Sequence, residues 1–570
     1  MENTFDLAIV GFGPRGLFAV EQYIEKLAVL QTPRLPKIVI FEQDNLWGTG
    51  KAWDVNQTNV NWINIADRAL SSFPSRKPFS LQYIDFPLFP DYLSWLAQTM
   101  NHKVSDVKDT FHPRKVMGSY LSQRAHSLLE RLQSLELIQC VEERVVTINS
   151  SGPFFEIKTT AQGTYRSSKT LLTIGHLKTK ISSQNKEFAT HAAETDAHFS
   201  THSYSKEAKR IYSKAKSLAI KGLGLSMIDI VRMVTQHYKG NFENQNGSIF
   251  LNYKSKEVHP IMVPFSLDGL PSVPKPLGKH IDDQFAIDKK RQTTLIKKLK
   301  HDVAAEKSIE IDQILQPIAR EIGVIYLEQN KLFDQGKISI DFLTTLIVNW
   351  LKDPSTASPH FLDPNLPITD YITDTCKMAM GESPASLDYT IGQTWRQLQT
   401  YLYDIYSFKI APATMAQLIK VDEQTKRYSY GPPVESMLQI LALENAGILN
   451  LKYVSDPEIE LVEEGFQLKN DNSKITATAM IDAIIPAANL EEIDDPLVEH
   501  LVRNNLAEQV CENLGIRVDL DHTHLIDGKR IEGLYSMGRI IKGNIIGVDA
   551  ILECFNEEKV KLWLDQILDH

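Results

Sequence analysis

Gly11, Gly13 and Gly16 stand at the spacing G-x-G-x-x-G, between the apolar run Leu7 to Val10 and the helix-compatible run Leu17 to Leu30. In the order strand, turn, helix, that spacing builds a phosphate cradle. Gly11 permits the tight turn, Gly13 lets backbone approach a pyrophosphate, and Gly16 lets the helix lie close to the strand. Pro14 and Arg15 sit at the helix mouth, where free N–H groups and a partial positive charge favour an anion. The next strand, Lys37 to Glu42, closes on an acid. A carboxylate there accepts hydrogen bonds from ribose hydroxyls. The plainer alternative is an ordinary turn and a surface glutamate.

A second strand, turn and helix follows at Ser217 to Asp229. Gly222 and Gly224 supply the two phosphate-facing glycines, and Ser226 opens the helix. The third glycine position holds Met227, so the fingerprint is incomplete. The strand expected next, Ser248 to Tyr253, ends without an acid and runs into Lys254 and Lys256. Cations there receive a 2′-phosphate, which favours NADPH over NADH; two solvated lysines are the bland reading.

Other residues are placed by these two turns. Gly48 to Trp53, including Gly50, forms a loop pressed close to something. Gln57, Asn61, Trp62 and Asn64 mix amides with aromatics, which suits a flat heteroaromatic ring or an ordinary surface loop. Arg114 opens a helix and could meet a phosphate, a carboxylate or a surface partner. Strands are expected at Glu143 to Ile148, holding Val145, at Phe154 to Lys158, and at Thr170 to Gly175. His176 follows as a possible proton donor or a capping residue. Near the end, a strand runs into Gly538, and Asn544 and Asp549 lie in the turn before the last helix.

Composition narrows the classes. The chain has 570 residues, 43% hydrophobic and 23% charged, as in a soluble globular protein of several domains. A net charge of −10 argues against general nucleic-acid binding. No apolar run reaches the ~18 residues of a membrane span. The start shows no signal peptide. Cys140, Cys376, Cys511 and Cys554 form no C-x-x-C, so neither a dithiol nor a zinc site is expected. A reducing cytoplasm fits.

The ordered set of motifs resembles the bacterial FAD-NAD(P)-binding family of two-dinucleotide-domain flavoproteins. The matching residues are Val10 to Leu17, Pro113-Arg114 with Gly118 and Tyr120-Leu121, Lys221 to Ser226 with Asp229, Ser266 with Gly269-Leu270-Pro271, Gly431 to Val434, and Gly533-Leu534-Tyr535 with Gly538-Arg539 and Gly543. The family is similar in layout to flavin N-hydroxylases and Baeyer–Villiger monooxygenases. The resemblance implies FAD on Gly11 to Gly16, with Glu42 on its adenosine ribose. It implies the Gly48 to Asn64 loop against the isoalloxazine, and Gly538, Asn544 and Asp549 over the flavin or its ribityl chain. NADPH is implied on Gly222 to Ser226. Val145 and Gly175 complete the candidate cofactor contacts. Ser266-Leu267-Asp268 departs from the family where a basic residue is expected.

The expectation is an α/β protein with two Rossmann-like dinucleotide-binding domains, the second inserted in the first, plus a largely helical segment. Residues 1–178 begin the FAD domain, 205–278 form the NAD(P)H domain, 279–430 form a helical cap or insertion, and 431–570 return to the FAD domain. The implied activity is an FAD-dependent, NADPH-consuming monooxygenase acting on a small polar metabolite, with N-hydroxylation as one form of that reaction. A reductase or dehydrogenase without oxygen insertion, and a non-catalytic assembly protein, are the alternatives. No catalytic acid or base is identified, and a homo-oligomer stays open.

Overall fold

Alternation along two short strands organises the molecule. In the strand Thr4–Val10, Leu7 and Ile9 face one core while Ala8 and Val10 face another. In the strand Ser217–Lys221, Leu218 and Ile220 face one core and Ala219 the opposite one. Strands covered on both faces belong to parallel sheets sandwiched by other elements. A computed structural model describes residues 4–32, 34–106, 109–245, 248–305, 308–332 and 338–568.

The first sheet has the path Thr523–Ile526, Lys529–Ser536, Thr164–Leu172, Thr4–Val10, Ile38–Phe41, Ile138–Val141. Thr4–Val10 runs parallel to both neighbours, with Ala8 between Val39 and Thr170. Strand order reverses at this strand, which opens a crevice at its carboxyl end. Val145–Ser151 and Phe154–Thr159 form an antiparallel extension joined to Thr164–Leu172.

The second sheet has the order Ile261–Phe265, Ser217–Lys221, Ala479–Asp482, His198–Ser200, all parallel. It lies in the chain between Leu172 and Thr523, so one α/β unit is nested inside the other. Two boundaries differ from expectation. The second sheet starts at His198, ahead of residue 205, and it takes Ala479–Asp482, so the return to the first sheet comes after that strand rather than at 431. The apolar face of Ala479–Asp482 has no partner until Ser217–Lys221 receives it.

Residues 278–445 are largely helical, including Ile340–Lys352, Leu387–Tyr406, Pro412–Ser429 and Val434–Asn445. Their apolar sides share a core with Leu218 and Ile220, so this segment is built onto the second sheet. Among the described residues, no helix is long and apolar enough to cross a membrane.

Candidate functional site

Val10 ends its strand and Gly11 turns the chain at φ +89°. A methyl group on Gly11 would lie 2.7 Å from the Thr173 carbonyl oxygen, and one on Gly16 would lie 2.6 Å from the Gly11 oxygen. Both glycines are demanded by close approach. Gly13 differs: it caps the helix Pro14–Leu30 and faces Gly50, with 3.8 Å between its added methyl and the Gly50 Cα. The two glycines thus leave a bare backbone cradle at a helix N-terminus, where a pyrophosphate fits. The buried Glu42 accepts from the Phe12 N–H at 3.1 Å and the Asp44 N–H at 3.3 Å, fixing the turn. Burial lifts its carboxyl above the ordinary value against those two bonds.

A cleft opens over this turn. Gly11, Gly13, Pro14, Arg15, Glu42, Gly50, Trp53, Val145, Gly175, Gly538 and Asp549 line it, together with Arg144, His176 and Arg539. Arg15 is buried, and among the described residues its NH2 has no hydrogen-bond partner. A cradle free of side chains and an orphaned guanidinium nitrogen are what an acidic dinucleotide would complete, so these residues fit FAD. On the opposite wall, Asp549 pairs with Lys426 at 2.6 Å and with Arg539. Burial alone would raise Asp549, but Lys426 and Arg539 outweigh it and hold the carboxyl well below the usual range. Burial, then the neighbouring Arg539, pushes His176 down to about 4. The imidazole is therefore neutral at pH 7, which suits a hydrogen-bonding role better than that of a charged acid.

Four expected residues stand outside the cleft lining. Gly16 serves packing, as above. Gln57 donates to the Ala52 carbonyl at 2.9 Å and braces the loop. Asn64 donates to the Tyr430 carbonyl at 3.0 Å, tying that loop to the helical segment. Asn544 accepts from Val518 N–H and donates to Ile516 and Ile541 carbonyls at 2.7 and 2.8 Å. All its capacity goes to the main chain, so it pins the turn behind Asp549 rather than facing a cofactor. The sequence reading missed Arg144 and Thr173, whose only signal was adjacency to the motif strands, and gave Arg539 no role although it stands in the matched Gly538-Arg539 pair.

The second turn is open. Gly222 has φ +112°, and a methyl group on Gly224 would meet nothing within 4 Å. Gly224 caps the helix Leu225–His237, and Met227 at the third motif position is buried in the core. These residues fit a nicotinamide dinucleotide at a helix N-terminus.

Lys254 and Lys256 do not belong there. Leu251–Lys254 pairs antiparallel with Asn241–Asn244, and the parallel neighbour of Ser217–Lys221 is Ile261–Phe265. Ser255 donates to the carbonyl of Tyr238, past the far end of the helix Leu225–His237. Ile261 begins opposite Ser217, at the sheet edge remote from Gly222. A helix of 13 residues puts ~20 Å between its ends. Lys254 instead pairs with Glu243 at 2.6 Å. The 2′-phosphate role is thereby removed from both lysines.

A buried bridge joins the first unit to the helix that begins at the second turn. Arg114 pairs with Asp229 at 2.6 Å, and Tyr204 donates to the same carboxylate at 2.7 Å. Burial opposes the charge on Arg114, but Asp229 and Tyr204 outweigh it and hold the guanidinium above its ordinary value. Arg232 lies 3.7 Å over the Trp62 ring, and Thr58 donates to Gln236 at 2.5 Å. The loop beside the first turn therefore rests on the helix that begins at the second.

Residues 8–177 match the FAD-NAD(P)-binding family. That stretch holds the three-glycine turn, Glu42, Val145, Gly175 and His176. The nitrosuccinic acid synthase of Aspergillus oryzae is similar over 93% of this chain and 87% of that protein, at 22% identity. The ornithine N-hydroxylase of Kutzneria sp. 744 superposes with a TM-score of 0.47 at 11% identity, covering 99% of both chains. The L-lysine 6-monooxygenase of Pseudomonas syringae does so with a TM-score of 0.46 at 12% identity, again over 99% of each.

Proposed function

We propose that this chain, built around an FAD-NAD(P)-binding domain, is an FAD- and NADPH-dependent monooxygenase that oxygenates the amine nitrogen of a small acidic metabolite. One observation carries the reading: the unit holding the cleft over Gly11 to Gly16 and the helix that opens at the turn Gly222 to Ser226 are held together by the buried Arg114–Asp229 pair. A single chain thus offers one site for a flavin and a neighbouring one for its reductant. When bound, the flavin supplies hydride acceptance and oxygen activation.

The chain's own residues do the holding. Gly13 and Gly50 admit the pyrophosphate, Arg15 offers its free NH2, and Glu42 faces the ribose. Lys426 and Arg539 keep Asp549 ionised at the opposite wall. The Trp53 to Asn64 loop is tied to the helical segment by the donation of Asn64 to the Tyr430 carbonyl. NADPH docks at Gly222 and Gly224. Overall, amine, O2, NADPH and a proton give hydroxylamine, water and NADP+.

The acidic substrate class rests on the relative named for nitrosuccinic acid. Aminosuccinic acid, which is aspartate, is the amine whose nitrogen oxidation leads toward such a product. Four unpaired cysteines suit a reducing cytoplasm. The test is anaerobic addition of NADPH to FAD-loaded protein, followed by oxygen and L-aspartate. The expected result is loss of flavin colour, then a product one oxygen atom heavier. Colour loss with all oxygen recovered as hydrogen peroxide would make the protein a reductase. No colour change would leave a binding or assembly role.

A further inference from the structure

Lys275 lies between two prolines, in the extended segment after the strand Ile261–Phe265. The backbone around it is bolted from three sides. Its own N–H donates to the Pro432 carbonyl at 3.0 Å, Tyr389 donates to the Pro274 carbonyl at 2.9 Å, and Arg68 donates to the Pro276 carbonyl at 3.1 Å. The backbone that carries the ammonium is thereby fixed. Its one hydrogen bond is to the Asn64 carbonyl at 2.5 Å, and among the described residues no carboxylate pairs with it.

The carboxylates nearby are taken. Asp282 is shared by Arg68, at 3.0 Å, and Arg396, and Asp109 is held by Arg68 at 2.5 Å. Three cations thus face two carboxylates. Burial, and then the positive charge of Arg396, push the Lys275 pKa down to about 7. A methionine would fill the same space without an unpaired buried charge, so packing does not account for the ammonium.

Position supplies the rest. Asn64 reaches the Tyr430 carbonyl, Tyr430 lies under Lys426, and Lys426 pairs with Asp549 in the cleft wall. Lys275 is thus linked to the cleft wall through Asn64, Tyr430, Lys426 and Asp549, and it lies where the loop of the first unit, the link of the second and the helical segment meet. We propose that Lys275 is the receptor for a carboxylate of the substrate, with Asn64 beside it. This rests on the reading of the chain as an oxygenase of an acidic amine and identifies the residue that selects the acid.

Succinate is the probe, since it carries the two carboxylates and has no amine to oxygenate. Its binding to the FAD-loaded protein is followed by perturbation of the flavin spectrum, without turnover. Lys275→Met is expected to raise the succinate Kd at least tenfold, with FAD occupancy and NADPH KM unchanged, and Lys275→Arg is expected to restore part of the affinity. Equal succinate affinity in wild type and Lys275→Met would overturn the proposal. So would a raised NADPH KM without change in succinate binding, which would move the lysine to the nucleotide. If Lys275→Met loses FAD, Lys275→Gln is read instead against the same two constants. Failure to oxygenate L-aspartate with normal succinate binding would instead defeat the oxygenase reading and leave the carboxylate site standing.

Discussion

The two glycine turns look alike in sequence and differ in how they are enclosed. At the first, added methyl groups on Gly11 and Gly16 collide with backbone oxygens, and Glu42 ties down the Phe12 N–H. At the second, a methyl group on Gly224 touches nothing, and Met227 replaces the third glycine without penalty. The first turn is wedged against Thr173, the residue following its neighbouring strand, with an added methyl on Gly11 only 2.7 Å from its oxygen; at the second, one on Gly222 would lie 3.3 Å from Ile484 and 3.5 Å from the Ala483 backbone, a looser fit. A closed turn fits a cofactor that stays, while an open one fits a cofactor that comes and goes.

Substitutions can break this contrast. Gly11→Ala combines positive φ with a backbone collision, so it should cost about 3 kcal/mol or more. The expected outcome is a large fall in Tm and loss of FAD; a protein with full FAD occupancy would show that the turn is not closed. Gly224→Val should leave Tm nearly unchanged, since surface changes fall within roughly 0.5 kcal/mol. It should raise the NADPH KM at least tenfold while FAD stays bound. Equal losses of both cofactors would make the two turns equivalent.

Glu42→Gln sharpens the comparison through pH. Because burial raises the Glu42 pKa in the folded state, its contribution is fully present below the unfolded value and is lost as pH rises through the folded one. Cofactor-free wild type should therefore gain stability relative to Glu42→Gln as pH falls from 7 toward 4, measured by Tm. A difference independent of pH would mean the carboxyl is not desolvated. The smallest effect is expected for Lys254→Ala with Lys256→Ala: NADPH and NADH KM should both stay at wild-type values.

Local pattern carried the closed turn. Strand, three glycines, helix and a terminal acid follow one another in order, and Gly11, Gly16 and Glu42 are each required by a contact within that unit. The parallel sheets and the helical segment were legible for the same reason, through apolar alternation and period. What was not legible depends on distant partners. Lys254 follows a run that reads as a strand, yet whether that strand joins the parallel sheet is decided by Ile261–Phe265, which competes for the same edge. Ala479–Asp482 reads as a buried strand in any sheet, and only its pairing with Leu218 to Lys221 assigns it. Asn544 is polar and near a glycine turn, which is equally the signature of a ligand contact and of a backbone pin. Lys275 shows no motif; its significance is the absence of a partner, which only three dimensions reveal.

The nesting of the two sheets has a consequence for how the chain is made. Thr164–Leu172 emerges early, yet its neighbour Lys529–Ser536 is among the last segments synthesised. The second sheet waits likewise for Ala479–Asp482 to fill its centre. Through most of translation both sheets therefore present an apolar, hydrogen-bond-hungry edge with no native partner yet in existence. Such a chain has its greatest exposure to aggregation just before completion, and its yield in a cell should depend on holding factors at the ribosome more than on the stability of the finished fold.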